Sequence, residues 1–112
     1  MLFRSDVVID SKVSLTAYQA YYASSDETER AALLKQHIAS IRAHLKNLSG
    51  KKYQDLEGLR SLDYVLMFLP VEAAFTLAVQ HDDNLFTEAF EQNIILVGPS
   101  TLLATLRTIH NI

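Results

Sequence analysis

Hydrophobic and polar positions along the chain change their period several times, and each change marks an element. Residues 7–12, Val-Val-Ile-Asp-Ser-Lys, are a β-branched apolar run with a polar tip, the pattern of a short strand. Residues 14–23 mix small, aromatic and polar side chains and read as a short helix, on which Tyr18 and Tyr22 are neighbours one turn apart. Packing of that pair against the next helix is the expected outcome, ahead of stacking on nucleic-acid bases. Leu34, Ile38, Ile41, Leu45 and Leu48 then alternate spacings of four and three, which predicts one long amphipathic helix ending at Gly50. Ser24 is its expected N-cap, with Glu27 completing a capping box and Asp26, Glu27 and Glu29 complementing the helix dipole.

Beyond a polar connection over residues 55–62 that contains Gly58, the run Asp63-Tyr64-Val65-Leu66-Met67-Phe68-Leu69 is almost continuously apolar. A central parallel strand covered on both faces has that composition. Pro70 forbids further ladder pairing, and residues 71–80 return to helical spacing with Glu72 in the first turn. Residues 81–84 make a turn, with Asp82 or Asp83 as the cap of a short helix over 85–92. Residues 93–97 give a third buried strand, Gly98-Pro99 a sharp break, and Ser100 the expected N-cap of a last helix through Thr105 and Arg107. Strands alternating with helices predict an α/β fold: a small, mostly parallel sheet of about three strands flanked by helices, joined by right-handed crossovers.

The 112 residues are enough for one domain, 1–112, whose core covers roughly two thirds of the unfolded surface. The net charge of −3 excludes a global polycation effect, so any nucleic-acid contact has to come from a local patch. From Arg30 to Gln54 there are six basic residues, Arg30, Lys35, Arg42, Lys46, Lys51 and Lys52, and no acid. Such a run serves equally as a solvated face or as a set of phosphate contacts. Lys51 and Lys52, beside Gly50 and Tyr53, sit where a turn lets lysines reach a DNA backbone. There is no cysteine, which suits a reducing cytoplasm, and no apolar run near the roughly 20 residues that span a bilayer. No glycine-rich dinucleotide fingerprint, Walker loop, HExxH or nucleophile elbow is present, so no nucleotide cofactor is expected.

The strongest candidate chemistry lies at the tip of the first strand. Alternation of side chains puts Asp10 and Lys12 on one face, about 7 Å apart, with the Ser11 carbonyl beside them. An acid, a carbonyl and an ammonium on one rim are suited to hold Mg²⁺ and orient water near a phosphate. The bland alternative is a strand-edge ion pair of about 0–1 kcal/mol. Asp6, the other upstream acid, lies about 13 Å from Asp10 along a straight strand and cannot share its cation. Ser100 and Thr101, at a helix start just after a strand, are either phosphate contacts or plain capping residues. Glu72 reads first as a first-turn acid serving the helix dipole, and second as a further rim carboxylate. His37 and His44 fall at the edge of the apolar stripe, about 10.5 Å apart, too far to ligate one metal together. They read as boundary histidines.

The runs VVIDSKVSLTAY, HIASIRAHLKNL, GLRSLDYVLMFLPVEAAF and NIILVGPSTLLATLRTI resemble, in the same order, the RmuC family of bacterial DNA recombination proteins. The resemblance covers nearly the whole chain. Residues 1–5 depart from it and stand as divergent or fused sequence. It implies a truncated core similar to restriction-endonuclease-like nucleases, whose signature is an upstream Asp followed later by (Asp/Glu)-x-Lys. Asp10-Ser11-Lys12 matches the second half of that signature, and the first half has no counterpart here. It also implies a long helical region and a membrane-proximal segment before this point and further sequence after it, so the chain reads as a piece of a longer protein.

Two functions from different classes follow. The first is a Mg²⁺-dependent nuclease acting on DNA structures in recombination or repair, inactive as this fragment, with Asp10 and Lys12 catalytic and Asp10 and Ser11 on the metal. DNA contacts then fall to Arg42, Lys46, Lys51, Lys52, Ser100 and Thr101. The second is a non-catalytic assembly module that forms a homo-oligomer through an exposed strand edge.

Overall fold

The computed structural model describes residues 8–50 and 64–110, and the side chains of all of these but the last two. Among them are three strands and five helices, in the order β1 (Val8–Asp10), α1 (Thr16–Ala23), α2 (Glu27–Ser49), β2 (Val65–Phe68), α3 (Glu72–His81), α4 (Leu85–Phe90), β3 (Ile94–Val97) and α5 (Pro99–His110). The strands form one sheet in the order β1-β2-β3 with every pair parallel. Val8 stands opposite Val65, and Val65 opposite Ile94. The α/β expectation and all three strands are therefore met, with β2 central, as its unbroken apolar run requires.

The core lies between one face of the sheet and helices α2, α3 and α4. Val65, Met67, Leu69, Ile94 and Leu96 meet Ile41, Leu45 and Leu48 of α2, Ala74 and Ala78 of α3, and Leu85 and Ala89 of α4. The alanines of α3 and α4 let those helices approach closely, and each buried Leu or Ile contributes about 2 kcal/mol. Of the five stripe residues of α2, the last three are buried, while Leu34 and Ile38 are half-buried where α1 packs alongside. Tyr18 packs against the core, 5.6 Å from the His37 ring, and Tyr22 stacks on it from outside at 6.4 Å.

Element ends differ from the expectation for local reasons. The N-cap of α2 is Asp26, whose carboxylate accepts the Glu29 N–H at 2.9 Å. Ser24 is instead the C-cap of α1, its N–H donating to the Ala20 carbonyl. Two chemically equivalent caps two residues apart were available, and closing α1 used the first. Helix α4 stops at Phe90 because Asn93 takes a left-handed φ of 62°, which Asn tolerates, and turns the chain into β3. The N-cap of α4 is Asn84, which makes no side-chain cap hydrogen bond, while the Asp82 carboxylate accepts the Asn84 N–H at 3.2 Å as well as the Arg42 guanidinium. At α5 the first helical carbonyl belongs to Gly98, which accepts the Leu102 N–H at 2.8 Å, so Gly98 takes the cap position and Pro99 the first helical one.

Gly98 is also where backbone meets a ring. A Cβ there would stand 3.0–3.1 Å from Cβ, Cγ and Cδ2 of Phe75 on α3. Gly98→Ala should destabilise the fold by about 1–3 kcal/mol, as overpacking does. Denaturant unfolding of Gly98→Ala with Phe75→Leu should recover part of that loss, and equal losses with and without Phe75→Leu would contradict the close approach.

A candidate site at the carboxyl edge of the sheet

Because the three strands are parallel, their carboxyl ends share one edge, where α/β sheets place their ligands. Asp10 ends β1, and Gly98 to Thr101 follow β3 on the far side of β2, two strand spacings or about 10 Å across. The sequence-predicted residues Asp10, Ser11, Lys12, Ser100 and Thr101 are thus on one edge but on opposite flanks of it.

At the β1 end the strand stops two residues earlier than its pattern suggests. Oδ1 of Asp10 accepts the Lys12 backbone N–H at 3.2 Å, an Asp-anchored turn that ends the extended run. The alternation that would have put Asp10 and Lys12 side by side on one face is thereby broken. Asp10 is buried, while Ser11 and Lys12 are exposed.

The buried carboxylate is matched by a histidine at the edge of the apolar stripe of α2. His44 of α2 places Nε2 2.5 Å from Oδ1 of Asp10, and the two side chains are only 12% and 4% exposed. Burial pushes the Asp10 carboxyl up, but the His44 hydrogen bond, the Lys12 amide and the charges on His44 and Lys12 outweigh it and hold the group below its ordinary value of 3.8. His37, two turns earlier, is fully buried and puts Nε2 2.9 Å from the Ala74 carbonyl, tying α2 to α3. Its Nδ1 has no partner among the described residues. The available signal for the His44 role was its place on the stripe facing the sheet, but a 34-residue separation gives no local spacing from which to infer a pair.

The expected basic face is partly neutralised. Arg42 donates to both carboxylate oxygens of Asp82 at 2.7 and 3.0 Å and to Glu88 at 2.9 and 3.3 Å. Hydrogen bonding to Asp82 and then Glu88 raises the guanidinium further and holds both acids below their ordinary values. Arg30 donates to the carbonyls of Tyr21 and Ser24 and lies 3.9 Å over the Tyr21 ring, closing the end of α1. Lys35 and Lys46 remain exposed. Eleven residues apart, they share a helix face with Arg42. Lys51 and Lys52, Tyr53 and Asp6 lie outside the described residues.

At the β3 end both anion-site candidates are occupied by the chain itself. The Ser100 N–H donates to the Glu72 carboxylate at 2.8 Å, so Glu72 serves the start of α5 as well as its own helix. Thr101 Oγ1 accepts the Gly98 N–H at 2.7 Å and stands 3.1 Å from the Gly98 carbonyl, doing the work of a capping-box acid.

A divalent cation at Asp10 needs several oxygens. Among the described residues no three His, Asp or Glu side chains converge as a metal site would require. Asp10 supplies one carboxylate, with Oδ1 already holding an imidazole and an amide. The donor set described does not fit Mg²⁺ as it stands.

Fold and site together define a parallel α/β layer with an acid–histidine pair at its carboxyl edge. The sequence model of the RmuC family matches residues 3–112, and the chain belongs to that family. It is 59% identical over 106 residues to a DNA recombination protein RmuC homolog of Pseudomonas aeruginosa, covering 95% of this chain and 23% of that protein. It is 60% identical over 106 residues to a homolog of the same name in Neisseria meningitidis serogroup A, covering 95% of this chain and 18% of that protein. With the DNA recombination protein RmuC of Escherichia coli K12 it shares 54% over 107 residues, 96% of this chain and 22% of that protein. The chain therefore spans about a fifth of the length of the curated relatives it matches. No solved structure matches. Among the described residues no helix is long and apolar enough to cross a membrane.

Asp10 and Asp82 are held below their unfolded values, so their contribution to stability is present above about pH 4 and is lost as pH falls through the folded values. The stability difference between the wild-type chain and Asp10→Asn should accordingly be larger at pH 6 than at pH 3, measured by urea unfolding at each pH. A difference independent of pH would contradict the assignment.

Proposed function

We propose that this chain is the part of a DNA recombination protein that contributes a DNA-facing edge, acting on DNA structures during recombination or repair and not cutting DNA by itself. The observation that carries the reading is identity of 54–60%, over nearly all of the chain, to proteins named for DNA recombination. On this reading the exposed Lys12, Lys35 and Lys46 contribute backbone contacts, since all three are solvent-facing and Arg42 is already held by Asp82 and Glu88. A nuclease step would require a second carboxylate at Asp10, which the described residues do not bring there. An assembly role is the second reading, favoured by the placement of β1 and β3 at the edges of a three-stranded sheet.

The test is binding to branched and duplex DNA across a salt series, with and without Mg²⁺, alongside light scattering of the free chain. The reading expects salt-sensitive binding without cleavage, and Lys46→Glu should reduce the slope of log affinity against log salt by about 1. No binding at low salt would overturn it, and a dimer at tens of micromolar would then favour the assembly role.

A further inference from the structure

Three aromatic side chains stand together in the open where β2 and β3 begin. Tyr64 immediately precedes β2, and its ring stacks on that of Phe90, the last residue of α4, with centroids 5.2 Å apart and an angle of 16° between the planes. Phe86 lies one turn before Phe90 on the same face of α4. Tyr64, Phe86 and Phe90 are 37%, 41% and 48% exposed, while Leu85 and Ala89 of the same helix are fully buried. Core packing thus explains one side of α4 and leaves the aromatic side facing solvent, as a protein interface does. The charge around the patch selects its partner. Residues 61–106 hold six acids and no Lys or Arg. Arg42 engages Asp82 and Glu88, but Asp83 and Glu91, at the two ends of the patch, are exposed and stand outside that clamp. A DNA backbone would meet like charge here, and so would the same patch of a second copy. The surface that fits is apolar and carries a cation at each end.

The chain carries such a surface itself. On the solvent side of α2, Ala39 and Ala43 are exposed four residues apart, the spacing of Phe86 and Phe90, and the exposed Lys35 and Lys46 flank them one turn out on either side. Small side chains admit aromatic rings, and lysine stems lie along apolar surface while their ammonium groups reach carboxylates. We propose that the aromatic patch of one copy docks on the alanine–lysine face of α2 of a second copy, with Lys35 and Lys46 paired to Asp83 and Glu91. Glu88, half a turn from both Phe86 and Phe90, marks the side of α4 that faces its own α2 through Arg42, so the patch points away from the α2 face of the same molecule. The contact is therefore head-to-tail, and each added copy leaves one patch and one α2 face free unless a ring closes. It uses neither sheet edge and does not depend on DNA binding. Three half-exposed rings make less than a standard interface, so the association is of the weak, concentration-dependent class.

The test is sedimentation velocity of the intact chain, from tens of micromolar into the millimolar range, at low and at high salt. The mean mass of the wild-type chain should rise with concentration and fall with salt. Phe86→Ser with Phe90→Ser, and separately Lys35→Glu with Lys46→Glu, should each stay monomeric at the highest concentration. An equimolar mixture of the two variants should form a heterodimer and nothing larger, because the serine variant supplies an intact α2 face and the glutamate variant an intact patch. If the serine variant fails to fold, Asp83→Lys with Glu91→Lys takes its place; it should stay monomeric alone and associate when mixed with the glutamate variant. A wild-type chain that is monomeric throughout, or a mixture that stays monomeric, would overturn the proposal. Either variant associating alone as the wild type does would also overturn it, and would point to pairing through a sheet edge.

Discussion

A carboxylate that is 4% exposed at the tip of a three-residue edge strand must be matched by its own chain, and the Asp10–His44 pair meets that requirement. Edge strands this short hold few ladder hydrogen bonds, so the side chain at the end matters more than in a long strand. The pair connects β1 to α2 across 34 residues, and the same helix is joined to α3 by His37 and to the α3–α4 corner by Arg42. Three polar anchors on one helix thus fix where the first strand, the central core and the acidic corner sit relative to one another. The apolar contacts of Ile41, Leu45 and Leu48 supply most of the burial, while the anchors set the orientation in which it occurs.

What makes the site unlike its sequence pattern is that four of the predicted groups are held by partners within the chain. Asp10 took His44, Arg42 took Asp82 and Glu88, the Ser100 amide took Glu72, and Thr101 took Gly98. Among the described residues, Lys12, Lys35 and Lys46 stay solvent-facing.

The fold was largely legible in the sequence. Continuous apolarity marked β2 as central, the four-three spacing marked α2, and Pro99 and Gly98 marked the start of α5. The site was legible only by residue type. That Asp10 sits at a strand tip follows from Val-Val-Ile-Asp, but its burial follows from a tertiary contact with no local signature. The alternation that paired Asp10 with Lys12 assumed an extended backbone through residue 12, and the Asp10 side chain itself ended that backbone by accepting the Lys12 amide. Caps shifted by up to two residues at α2 and α5 because Ser, Asp and Gly are nearly equivalent there, and neighbouring elements decided among them.

The most direct test of this account is a double-mutant cycle on Asp10→Asn and His44→Phe, read by reversible denaturant unfolding. If the pair fixes β1 against α2, the two losses are strongly non-additive, with a coupling of about 2–3 kcal/mol. Losses that add to within about 0.5 kcal/mol would show that neither side chain depends on the other, and would contradict the account.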